Sequence, residues 1–208
     1  RNPDNTDIIG GVSASNEIEN HLLHFSYKGL LGGNFSALYS WLDDPCGNNS
    51  NCGSGLAAPQ PNSVYTVGVR QAGQLWGIDY RGEYYHQYGE ANASANGLTT
   101  GGTALGLGVD RDAYMFGVRI GKTFKNVSMK PSLTLWYDYL SGTEDSDLSA
   151  TNPTYKSFNT LFDTGHKFYG LMDLYTNAAS GGTGGFGLTD AAIKVKLSPM
   201  PGWTLKAD

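Results

Sequence analysis

Eight charged side chains have the types and spacing to act on a solute: Arg70, Asp79, Arg81, Glu83, Arg119, Asp138, Lys194 and Lys196. Each falls on one parity of an alternating stretch. In the clearest of these, Trp76, Ile78, Tyr80, Gly82 and Tyr84 occupy one parity and Gly77, Asp79, Arg81, Glu83 and Tyr85 the other. Side chains alternate across a strand, so such a segment has one apolar face and one charged face. Charges in a dry core cost several kcal/mol each unless paired, so the charged face is expected to be wet. Interleaved Gly, Ser and Thr, with Gly68, Gly77, Gly117 and Gly121 among them, are expected to leave room for a solute. Cations on that face would attract an anion, partly neutralised by Asp79, Glu83 and Asp138. The competing reading is that the charges pair across strands and only support the wall, Arg81 being placed to reach carboxylates on both neighbours.

Other chemistry is thinly represented. No nucleophile elbow, phosphate-binding glycine loop or metal-ligand spacing occurs, so neither an enzyme nor a cofactor is expected. Cys46 and Cys52, the only cysteines, lie in a run of turn formers without other ligands, which favours a small disulfide loop over a zinc site. A disulfide implies an oxidising compartment. Glu144, Asp145 and Asp147 lack the glycine and final glutamate of a calcium loop and read as solvated. A net charge of −5 gives no reason to expect nucleic acid as a partner. Asn34, Asn92 and Asn126 match the glycosylation pattern, a short motif that also arises by coincidence.

The elements that carry the eight residues are strands. Glycine makes up 29 of 208 residues, charged residues only 16% and aromatic residues 12%, and no apolar run approaches the ~18 residues of a spanning helix. Eight alternating runs are expected near 18–30, 34–42, 63–73, 76–88, 112–124, 130–140, 188–198 and from 203. The gaps alternate in length: 31–33, 72–74, 125–127 and 198–202 are tight, while 43–62, 89–111 and 141–187 are long. Short turns at one end and long loops at the other describe an antiparallel transmembrane β-barrel meander, and not a soluble sandwich. Aromatics sit at two heights, Tyr39, Trp41, Tyr84, Tyr137 and Tyr139 toward the long loops and Trp76 and Trp203 beside tight turns, as girdles at the headgroups do. The run from Trp203 breaks off, so residues 1–208 are expected to form part of one larger barrel domain, with 141–187 as a long extracellular or infolded loop.

Within that loop runs Lys156-Ser-Phe-Asn-Thr-Leu-Phe-Asp-Thr-Gly-His-Lys-Phe-Tyr-Gly-Leu-Met-Asp-Leu-Tyr175. This string resembles the alginate-export family of bacterial outer-membrane proteins, through Phe158, Asn159, His166, Lys167, Tyr169 and Asp173. The segment 130–142 resembles the family's preceding strand and 188–197 its next one, so that the resemblance covers about 110–206. His166 and Lys167 read chiefly as loop anchors. The resemblance implies a large monomeric barrel in the outer-membrane lipid, with a constriction lined by arginines and lysines. The inward carboxylates set this chain apart from a purely cationic path. The expected function is therefore a channel or exporter for an anionic small solute or polysaccharide, alginate-type polymers included. The alternative is a plugged structural barrel whose loops bind a surface partner.

Overall fold

The structure, a computed structural model, describes residues 6–9, 12–15, 19–43, 63–92, 99–100, 103–104, 108–144, 146–147, 153–160 and 187–207. Two short hairpins, β1 (Thr6–Ile9) with β2 (Val12–Ser15) and β7 (Thr99–Thr100) with β8 (Thr103–Ala104), stand apart from the main sheet. The main sheet is an antiparallel meander of β3 (Glu19–Lys28), β4 (Gly33–Asp43), β5 (Ser63–Leu75), β6 (Ile78–Asn92), β9 (Gly108–Thr123), β10 (Ser132–Leu140), β12 (Leu188–Leu197) and β13 (Leu205–Ala207). These are the eight expected strands, each paired with its neighbour in sequence order. The sheet does not close on itself, so the chain forms an arc of a larger barrel. No described helix is long and apolar enough to cross a membrane.

Several boundaries differ from expectation: the connection expected at 125–127 spans 124–131, the last strand begins at Leu205 and not at 203, and two further differences bear on the charged face. The hairpin between β5 and β6 turns at Trp76-Gly77, not at 72–74. Both turn residues have positive φ, 51° and 74°, the backbone of the primed two-residue turns that follow the twist of a hairpin. Gly73 stays in β5 because β4 runs hard against it there: a Cβ on Gly33 would come 2.6 Å from the Gly73 Cα. Gly77 is therefore a turn residue and does not belong to the charged face, and Trp76 projects from the turn at 88% exposure. On the other side, β6 and β9 extend to Asn92 and Gly108, which shortens the expected 89–111 gap and brings Arg111 into a strand.

Register confirms the two-faced pattern. On the apolar face the exposed residues include Val67, Val69, Tyr84, Val118, Ile120, Leu133, Leu135 and Ile193. Near the long-loop end of this face His21, Trp41, Tyr65 and Tyr88 stack in a ladder across four strands, with ring centroids 5.2, 6.1 and 5.3 Å apart. Tyr114, Phe116, Tyr137 and Tyr139 continue the aromatic patch on β9 and β10. From Tyr65 to Leu75 the strand advances about 33 Å at ~3.3 Å per residue, or about 25 Å along the normal when tilted by ~40°, the height of a lipid-facing band.

Candidate functional site

Register stacks the charged face into rows. One row runs Ser36, Arg70, Glu83, Gly117, Asp138 and Asp190 across six strands. The next row toward the tight turns runs Ala72, Arg81, Arg119, Trp136 and Ala192. Beyond it lie Gln74, Asp79, Gly121, Thr134 and Lys194, then Thr123, Ser132, Lys196 and Lys206.

The first two rows interlock. Glu83 lies 3.9 Å from Arg70 Nε, accepts a 2.6 Å bond from Arg81 Nη2 and lies 3.7 Å from Arg119 Nη2. The same Arg119 nitrogen donates to Asp138 at 3.1 Å, and the Trp136 indole N–H donates to that Asp138 oxygen at 3.0 Å. The Arg119 guanidinium carbon sits 3.3 Å from the Trp136 ring centroid and Lys194 Nζ 4.4 Å from it. Arg81 thus pairs with Glu83 two residues along its own strand and not with carboxylates on both neighbours; the residues opposite it are Ala72 and Arg119. Three guanidinium groups surround two carboxylates, and depth separates them. The Glu83 and Asp138 side chains are 3% and 1% exposed, that of Arg119 is 13% exposed, and those of Arg70 and Arg81 are 34% and 27% exposed. The carboxylates are sunk in the wall and positive charge lies at its surface.

The inward glycines hold space for these side chains and not for a solute. A Cβ on Gly117 would stand 2.6 Å from Asp138 Oδ1 and 3.1 Å from Glu83 Oε1. One on Gly68 would run into the Tyr85 ring, and one on Gly121 would crowd Thr134 Oγ1. Outside the cluster, Asp79 accepts a 2.8 Å bond from Gln74, and Lys196 is exposed opposite Ser132 and Lys206.

Sequence reasoning did not single out the residues that hold the described part of the long loop. Strand β11 (Thr154–Tyr155) pairs parallel to β9 at Asp110 and Arg111, on the stretch of β9 that overhangs the end of β10. Tyr155 packs with Ala91 and Val109, and Phe158 with Ala113 and Leu140. The fully buried amide of Gln87 donates to the Asn159 carbonyl at 2.7 Å and accepts the Asn159 N–H at 2.8 Å. Buried Arg111 lies over the Tyr155 ring at 4.7 Å. Ser141 ties the two sides, its hydroxyl donating to the Lys156 carbonyl and accepting the Tyr114 N–H. Gln87 and Arg111 share the parity of Glu83 and Arg119, a signal that was readable once the strands were extended to their true ends. Of the loop string, Phe158 and Asn159 are placed by these contacts, while His166, Lys167, Tyr169 and Asp173 lie outside the described residues, as do Cys46 and Cys52.

No group of His, Cys, Asp or Glu fit for a metal occurs among the described residues. Asp147 is engaged instead by Lys156 Nζ at 2.7 Å and by the Glu144 N–H. These two bonds, that from Lys156 first, hold the Asp147 carboxyl below its ordinary range, and the same pairing raises the Lys156 ammonium.

A model of the family described as alginate export matches residues 15–183, most of the chain. The chain belongs to the alginate-export family. The match extends over the N-terminal half, where the loop string gave no resemblance, and stops before β12. The family is one of outer-membrane transport, and not an enzyme family. No curated protein and no solved structure matches the chain.

Proposed function

We propose that the protein is a monomeric barrel in the bacterial outer membrane that passes an anionic solute along its charged face, with Arg70, Arg81 and Arg119 forming the cationic surface of the path. The observation that carries this reading is the separation in depth. Glu83 and Asp138 are buried and orient the guanidinium groups, while Arg70 and Arg81 reach nearer the surface of the wall than these two carboxylates do, which supports attraction of an anion there. A face of this kind inside a closed barrel favours anions, as rings of arginine and lysine do in anion pores. Membership in the alginate-export family supports a polysaccharide of the alginate type as the cargo.

The test is the reversal potential of the full-length protein in a planar bilayer under a salt gradient. Anion selectivity is expected, reduced by Arg70→Glu, Arg119→Glu and Lys194→Glu. Cation selectivity, or no conductance, would overturn the reading.

A second reading draws on the docked residues 153–160, which cover the charged parity at the long-loop end. In it the 141–187 segment plugs the barrel and the long loops bind a surface partner. Deleting 144–186 separates the two: a gated path conducts more, whereas a scaffold loses its partner.

A further inference from the structure

The two ends of the sheet carry opposite charge. Toward the long loops lie Glu19, Asp43, Glu90, Asp110, Asp112, Glu144 and Asp147, against buried Arg111 and the paired Lys156. At the tight-turn end lie Lys28, Lys122, Lys125, Lys130, Lys196 and Lys206, all exposed, against Asp79 alone among the described residues. Among the described residues no ion pair involves any of these six lysines. Lys196 and Lys206 stand directly opposite each other on β12 and β13. Like charges in that position destabilise a sheet, so the protein sustains a local cost to keep cations there. On the charged parity Lys28 lies in the row of Arg81 and Arg119 itself and Lys196 two rows beyond it, so the collar continues into the same face.

We propose that this lysine collar is a loading site that captures a polyanionic chain at the tight-turn mouth and delivers it to the arginine cluster. The proposal rests on the anion-path reading and adds a side to it. A polyanion approaching the tight-turn mouth meets an attractive field, and one approaching the long-loop rim meets a repulsive one. Fields focused by a charged mouth raise the rate of encounter by about ten- to a thousand-fold. In outer-membrane barrels short turns face the periplasm, so capture would occur from inside the cell envelope. The occupant is taken as a soluble polyanion and not as lipid headgroups, because three of the four lysines within strands, Lys28, Lys196 and Lys206, share the charged parity, and only Lys122 lies on the apolar one.

Dextran sulfate serves as the probe, with neutral dextran as control, on the full-length protein in a planar bilayer of neutral lipid. A biotin-acceptor tag inserted in the 44–62 connection marks the long-loop side. Block by dextran sulfate is expected at about tenfold lower concentration, or better, from the tight-turn side. The difference should shrink in the K28Q/K125Q/K130Q/K206Q variant and collapse in 1 M salt, where the screening length is about 3 Å. Equal block from both sides, a difference unchanged in the variant, or one that neutral dextran reproduces would overturn the proposal. So would a difference that appears only once anionic lipid is added. Reversal potentials on the same channels keep the two ideas apart: anion selectivity with symmetric block removes only the loading site, whereas cation selectivity removes the path itself.

Discussion

Gln87 and Asn159 are joined by two reciprocal hydrogen bonds, 2.7 and 2.8 Å long, across a sequence separation of 72 residues. The Gln87 amide reproduces for Asn159 the bonding that a neighbouring strand would supply, in a place where the amide is wholly buried. An unsatisfied buried donor or acceptor costs about 1–3 kcal/mol, so each half of this clamp depends on the other. Replacing Gln87 by Ala is expected to release residues 153–160 while leaving the strands intact. Limited proteolysis checks this: cleavage between 153 and 160 should accelerate by about tenfold or more, as ~1.4 kcal/mol implies, with the melting of the barrel little changed.

Glu83 has a different kind of indispensability. Its carboxylate lies beside three guanidinium groups, and removing one partner from a buried ionic cluster typically costs about 3–5 kcal/mol. Glu83→Gln is therefore expected to lower the thermal stability of the detergent-solubilised full-length protein. In the fraction that folds it should raise the anion-to-cation permeability ratio, because negative charge leaves the wall and the arginines remain. A variant that is less stable but unchanged in selectivity would show that Glu83 is felt only by the wall.

Gly117→Ala tests the room that glycine provides. The added methyl would lie within 2.6 Å of Asp138 Oδ1, and both Asp138 and Glu83 are hemmed in. Overpacking of this kind costs about 1–3 kcal/mol, and a fall in melting temperature of the full-length protein is expected. Gly82→Ala is the control, since a methyl there meets nothing within 4 Å.

The Asp147–Lys156 pair gives residues 144–156 a dependence on pH. A carboxyl held below its ordinary value of 3.8 stabilises the fold above that value and ceases to do so as pH falls through its lowered folded value. An ammonium raised above 10.5 contributes below that value and stops contributing as pH rises through the raised one. Protection of this segment from proteases is therefore expected to be flat from about pH 5 to 9 and to weaken at both extremes. Asp147→Asn should lower the plateau and remove the acid limb.

Much of this architecture was legible because alternation and the lengths of gaps depend on local sequence. The eight strands, their order and the shared parity of Arg70, Glu83, Arg119 and Asp138 all follow from period two. Partner choice within that face did not. Arg81 turned to Glu83 on its own strand because register set Arg119 opposite it, and register is fixed by the turns. The hairpin at Trp76-Gly77 escaped notice because a tryptophan seldom takes positive φ, while Gly73 imitated a turn where it allows two strands to approach. Gln87 and Arg111 were hidden for another reason, since nothing local announces that a segment 46 to 72 residues downstream will come to rest on them.

The parallel bridge of β11 to β9 bears on assembly. The described residues that receive residues 153–160, on β6, β9 and β10 and at Ser141 and Thr143 just beyond β10, all belong to this arc. The segment can therefore be seated while the sheet is still open, before closure would oblige it to enter through a finished mouth. A barrel assembled in this order would carry residues 153–160 against its wall from the outset, as part of the sheet that closes and not as a later addition to it.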